Sequence, residues 1–161
     1  MEMQHAATIR PEGQGRRVAV VGDAYRLLAT GEETGGTYAM MDATVPLGGG
    51  PPPHIHRREE EAFYVLEGEI TFTLEDEQII AGPGCFLNMP IGSRHCFKNE
   101  SDQPARMLIT VAPAGLEEMF LEVGQLLASE EDQPQPPTEE DIQKLLEAAP
   151  RYGVEILPPP Q

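Results

Sequence analysis

Basic residues are scarce in this sequence: eleven Lys and Arg stand against 27 Asp and Glu in 161 residues, a formal charge of −16. A surface of that sign repels phosphate backbones and anionic lipid headgroups, which excludes nucleic acid and the membrane surface as partners. No apolar run approaches the ~18 to 20 residues of a membrane-spanning helix. The opening residues, MEMQHAATIRPEGQ, hold no apolar segment of the kind that directs secretion, and cysteine is limited to Cys85 and Cys96, too few for a disulfide scaffold. The expectation is a soluble, cytoplasmic protein with both thiols reduced.

Glycine and proline, by contrast, are abundant at sixteen each, and 40% of the residues are hydrophobic. Turn-formers at that density argue against a helical bundle and for many short elements around one core. From Arg16 to Ala112 about nine β-rich runs alternate with turn clusters: 17–21, 25–29, 37–45, 62–68, 69–74, 78–81, 85–89, 95–99 and 105–112. Their length and spacing predict an all-β sandwich or barrel. After Pro113 the texture changes. Leu116, Met119, Phe120, Val123 and Leu127 recur at helical spacing, predicting an amphipathic helix over 116–128. SEEDQPQPP at 129–137 reads as a Pro-rich linker, and Thr138 with Asp141 forms a capping box that opens a second helix ending before Pro150. The chain divides on this reading into a β domain, 1–115, and an acidic helical tail, 116–161. Residues 117–161 hold eleven acidic and two basic side chains, −9 of the −16.

Three of the four histidines fall in two glycine-framed segments. In the first, 48–68, His54 and His56 are two apart and share one side of an extended strand, while Glu61 approaches the same point from the next stretch. Glu61 has the strand parity of the inward-facing Phe63 and Val65; its neighbours Glu59 and Glu60 are expected in a solvated turn. The second segment, 84–99, brings His95 to the start of a strand behind the turn Pro90-Ile91-Gly92. Three imidazoles and one carboxylate form a mixed N/O set suited to one divalent first-row ion, Fe, Mn, Co, Ni, Cu or Zn, with coordination positions left open for water, O2 or a substrate oxygen.

Gly48-x5-His54-x-His56-x4-Glu61-x6-Gly68 and Gly84-x5-Pro90-x-Gly92-x2-His95-x3-Asn99, separated by fifteen residues, resemble the two motifs of the cupin superfamily. HIHRREEEAFYVLEGEITFTL and the ending YGVEILPPP are similar to single-domain cupins of the quercetin 2,3-dioxygenase-like group. The resemblance implies a double-stranded β-helix, a jelly-roll barrel, with one metal held by His54, His56, Glu61 and His95, and a homodimer whose candidate surfaces are the strands at 17–29 and the helix at 116–128.

The leading functional expectation is a metal-dependent dioxygenase acting on an oxygen-rich aromatic, flavonol-like molecule or an enolisable small molecule bound to the metal, with Glu61 also serving as catalytic base. A metal-assisted isomerase, decarboxylase or lyase of a small keto acid, and a non-catalytic binding module, are the alternatives; a basic residue inside the barrel would favour the former. Arg57 and Arg58 are expected as surface partners of neighbouring glutamates. Met40, Met41, Met89 and Met107 and the aromatic Phe63, Phe72 and Phe97 are expected as core, with Met40 and Met41 on opposite faces. Cys96 is expected to point away from the cavity that His95 faces, and His5 to lie in the amino-terminal segment without a partner.

Overall fold

The computed structural model describes residues 3–158, so the outermost ends of the ranges 1–115 and 116–161 lie outside the described residues. Ten strands make the barrel region: β1 (Arg17–Val20), β2 (Asp23–Ala29), β3 (Ala39–Val45), β4 (His54–His56), β5 (Glu60–Glu67), β6 (Ile70–Leu74), β7 (Glu77–Ala81), β8 (Phe86–Met89), β9 (Arg94–Lys98) and β10 (Ala105–Ala112). A four-residue helix, α1 (Gly31–Thr34), interrupts the second and third strands. The remainder forms α2 (Leu116–Val123), β11 (Gln125–Leu127), α3 (Glu139–Ala148), a 3-10 turn over Ala149–Tyr152, and β12 (Val154–Ile156). Two antiparallel sheets result, one of seven strands in the order β11-β1-β2-β3-β10-β5-β8 and one of five in the order β12-β4-β9-β6-β7. This is an all-β jelly roll, as the sequence predicts.

Period-two alternation sets which side chains fill the space between the sheets. On β5 Glu61, Phe63 and Val65 are buried while Tyr64 is exposed; on β10 Ala105, Met107, Ile109 and Val111 are buried. Met41, Met89, Met107, Phe63 and Phe72 are core, and Met40 is only half-buried, in line with the parity of its strand. Burying such side chains contributes about 1.5–3 kcal/mol each. The framing glycine of the first segment earns its place by close approach: Gly68 turns β5 into β6 at φ +77°, and a Cβ there would come within 2.7 Å of the Pro104 carbonyl oxygen. The closing residue of the second, Asn99, is wholly buried and ties down the loop before β10, donating to the Val45 and Gln103 carbonyls and accepting from Ser101.

The segment after Pro113 is not only helical. The first helix stops at Val123, and residues 125–127 pair with β1 as β11. Gly124 lies so close to β1 that a Cβ would overlap Val18 and the carbonyl oxygens of Ala19 and Phe120. Leu127, read as part of a helical face, is therefore in a strand. Buried Glu117 anchors α2, its two carboxylate oxygens accepting from the Gly31 and Gly115 amides at 2.9 and 2.8 Å. The second helix follows its sequence signal: Thr138 Oγ1 accepts from the Asp141 amide at 3.2 Å, Asp141 accepts from the Thr138 amide at 2.8 Å, and the helix ends at Ala148. Residues 129–137 have no helix or strand, yet Arg17 donates to the Ser129 and Asp132 carbonyls and Arg26 pairs with Glu130. β12 closes the five-stranded sheet by pairing with β4, Val154 opposite His56 and Ile156 opposite His54. No helix among the described residues is long and apolar enough to cross a membrane.

Candidate metal centre

Four buried side chains from three strands converge between the sheets. β4 presents His54 and His56 on one face, β9 sets His95 opposite His54 in register, and β5 brings Glu61 across from the other sheet. One ligand atom from each residue lies within 4.8 Å of all the others. Glu61 Oε1 is 3.0 Å from His95 Nε2 and 3.3 Å from His56 Nε2.

The outer nitrogens decide which way the imidazoles offer their lone pairs. His54 Nδ1 lies 2.8 Å from the Pro52 carbonyl oxygen, His56 Nδ1 2.7 Å from a Glu59 carboxylate oxygen, and His95 Nδ1 3.1 Å from the Ser93 carbonyl oxygen. All three partners are acceptors, which assigns a proton to each Nδ1 and makes Nε2 the ligating nitrogen of each ring, that of His95 meeting Glu61 Oε1 at hydrogen-bond distance. His56 Nε2 is buried without a hydrogen bond. An orphaned imidazole nitrogen beside a buried carboxylate fits a bound cation.

The electrostatics point the same way. Burial alone would keep His56 neutral, but the Glu61 carboxylate, assisted by Glu59, overrides it and raises His56 to about 10. Burial alone would push Glu61 up; instead His56, then His95, hold it well below the usual carboxylate range. Burial and the charge on His56 lower His54 to about 4. The carboxylate thus demands a positive charge beside it, which a divalent ion supplies in place of a proton.

The cluster opens onto a cavity whose remaining wall is mostly apolar. Val20 and Val21, Phe97 and Ile109 line it from the barrel; Leu116, Met119 and Phe120 of α2, Leu145 of α3, and Val154 and Ile156 of β12 line it from the carboxyl-terminal segment. Beneath the site Phe63 packs against Phe72 and Phe97, with ring centroids 5.0 and 5.8 Å apart, and against the His95 ring at 6.3 Å.

Some expectations change and others hold. Glu59, expected in a solvated turn, is buried and holds His56; Glu60 is exposed on β5 and bonds Asn88. Arg57 pairs not with its neighbouring glutamates but with Glu155 on β12 at 2.7 Å, and the Arg58 stem lies against Gly153. Met40, Met41, Met89 and Met107 stay off the cavity wall, where Met119 stands instead. Cys85 and Cys96 are free and partly buried, away from that wall, and burial pushes the Cys96 thiol up. Asp23 and Tyr25 of β2 also line the cavity. Nothing in the local pattern DAYRLLA marks them for a site, since the candidate ligands with which they share the cavity stand on other strands farther along the chain.

The family model for the cupin domain matches residues 41–111, which contain both glycine-framed segments and all four candidate ligands. Residues 41–111 thus match the cupin domain, and the chain is similar to the cupin superfamily. Among curated proteins, the chain is 28% identical over 112 residues to quercetin 2,3-dioxygenase of Bacillus subtilis, covering 70% of this chain and 33% of that protein. It is 26% identical over 123 residues to quercetin 2,3-dioxygenase of Aspergillus japonicus, covering 72% and 35% respectively. The match therefore spans about a third of the length of these relatives. Among solved structures, a Thermotoga maritima protein described as a predicted oxalate decarboxylase shares the fold with a TM-score of 0.60 at 17% identity, covering 66% of this chain and 99% of that one.

Proposed function

We propose that this protein is a metal-dependent dioxygenase whose substrate is a small molecule with an enolisable or phenolic oxygen, flavonol-like aromatics included, and whose metal is held by His54, His56, Glu61 and His95. The observation that carries the reading is the cavity: a cluster fit for a metal faces an apolar wall with no Lys or Arg among the described residues. That wall has no side-chain cation to receive the carboxylate of a keto acid, which supports the dioxygenase over an isomerase or decarboxylase. Similarity to two quercetin 2,3-dioxygenases supports it further.

A bound divalent first-row ion supplies Lewis acidity toward a substrate oxygen and, in its redox-active forms, access to dioxygen. The protein's own residues do the rest. Pro52, Glu59 and Ser93 fix the three imidazoles. Glu61, held as a carboxylate, takes the proton of the enol or phenol at its Oε1. Leu116, Met119, Phe120 and Leu145 shield the cavity from bulk water. The association we propose is a homodimer, supported by Tyr64 and Phe86, exposed side by side across the β5–β8 register. The helix at 116–128 is a poorer candidate, because Leu116, Met119 and Val123 are buried within the chain itself. A monomer by light scattering at micromolar concentration would remove the dimer.

The deciding experiment is elemental analysis of protein exchanged with Fe, Mn, Ni, Co, Cu and Zn in turn, with oxygen uptake followed against a flavonol and a catechol. Stoichiometric metal that is lost in His56→Ala, together with oxygen uptake that falls by about 10²-fold or more in Glu61→Gln, is the expected result. Bound metal with no uptake in any form overturns the dioxygenase, and no bound metal in any form overturns the site.

A further inference from the structure

Besides the candidate ligands His54, His56 and Glu61, the cavity wall carries two polar side chains among the described residues, Asp23 and Tyr25, two apart on β2 and so on one face of the strand. Both lie outside residues 41–111, the part matched by the family model. Asp23 is 2% exposed; among the described residues its Oδ1 has no hydrogen-bond partner and its Oδ2 has one side-chain partner, the Tyr25 hydroxyl, which donates across a long 3.4 Å. A Cβ on residue 49 would stand 2.5 Å from Oδ1, so that fully buried oxygen packs against the Gly49 backbone, where only glycine leaves room for it. A buried carboxyl with an unused acceptor in an otherwise apolar wall is costly, and a ligand donor repays it.

We propose that Asp23, steadied by Tyr25, is a second polar subsite that takes a hydroxyl group of the substrate while another substrate oxygen is held at the metal. The inference rests on the metal-dependent reading above and narrows its substrate to a compact, mainly apolar molecule with oxygen functions at two separated positions. Val20, Phe97, Ile109 and Phe120 pack its body. Burial raises Asp23 to about 7, so near neutral pH the group both accepts from a hydroxyl as carboxylate and donates to one as acid.

The test uses the Co(II)-loaded protein, whose visible spectrum reports ligation, titrated with phenol, resorcinol and hydroquinone. The expected result is that at least one dihydroxybenzene binds about tenfold or more tightly than phenol. That advantage should fall to about twofold or less in Asp23→Ala, persist in part in Asp23→Asn, and leave cobalt content and phenol affinity unchanged. Asp23→Val, of similar volume, repeats the measurement if the alanine variant fails to fold. Equal affinities for all three probes in the wild type, or an advantage that survives loss of the carboxyl, overturns the subsite alone. Failure to take up cobalt overturns the metal reading and the subsite with it.

Discussion

Glu59 shows what one buried oxygen does for a site. Its carboxylate fixes the His56 ring from behind at 2.7 Å, leaving Nε2 to face Glu61. Glu59→Ala should weaken Co(II) or Zn(II) affinity by about 10- to 100-fold with the fold retained, and Glu59→Gln, which keeps an acceptor, by less. Equal affinity in the alanine variant, measured by competition with a chelator, would show that His56 needs no such support. Asp23 gives the pH dependence. Its carboxyl packs with the Tyr25 hydroxyl and the Gly49–Gly50 backbone and is raised from the ordinary 3.8 to about 7, mainly by burial. The native state therefore binds this proton more tightly than the unfolded chain does, so Asp23 costs stability as pH rises through the window from 3.8 to about 7. The loss reaches at most about 4 kcal/mol. Asp23→Asn should be more stable than wild type at pH 8 relative to the difference at pH 4, by urea denaturation; a pH-independent difference would reject the raised value. The four candidate ligands were legible in the sequence because strand parity and glycine framing are local. Glu59 was not, because a run of three glutamates carries no mark of which one the chain turns inward.

Among the elements, the strands before Pro113 were legible and the two three-residue strands after it were not. β5 and β10 alternate over eight residues each, long enough for periodicity to show. β11 and β12 are three residues each, and the Gln-Leu-Leu of β11 continues the spacing of the helix before it. What ends α2 is a contact, not a propensity: Gly124 has φ −85° and ψ 176°, a backbone that alanine adopts without strain, yet a Cβ there would strike Val18 and the Ala19 carbonyl. Gly124→Ala should therefore destabilise the protein by about 1–3 kcal/mol, despite the better intrinsic helix propensity of alanine. A neutral or stabilising effect in chemical denaturation would mean that α2 and β1 separate at little cost. β12 matters for the site as well as the fold, since it pairs with the strand carrying His54 and His56 and its own Val154 and Ile156 form cavity wall.

Across the whole molecule, the candidate ligands bridge the two sheets: His54, His56 and His95 belong to the five-stranded sheet and Glu61 to the seven-stranded one. An ion held by all four would fasten the sheets together at the place where burial otherwise forces an imidazolium and a carboxylate into one dry pocket. Metal binding should then stabilise global unfolding, not merely a loop. At free metal a hundredfold above Kd the gain is about 2.7 kcal/mol, and a chain of this size gains roughly 2–4 °C in Tm per kcal/mol. Cobalt or zinc should accordingly raise Tm by about 5–10 °C in a single cooperative transition, reversed by EDTA and absent in His56→Ala. Hydrogen exchange distinguishes the two cases. Slowed exchange of the slowest amides in β3, β5, β9 and β10 alike means that the ion joins the sheets, whereas protection confined to residues 54–61 means that it orders only the segment around the first two histidines and that the sheets hold together without it.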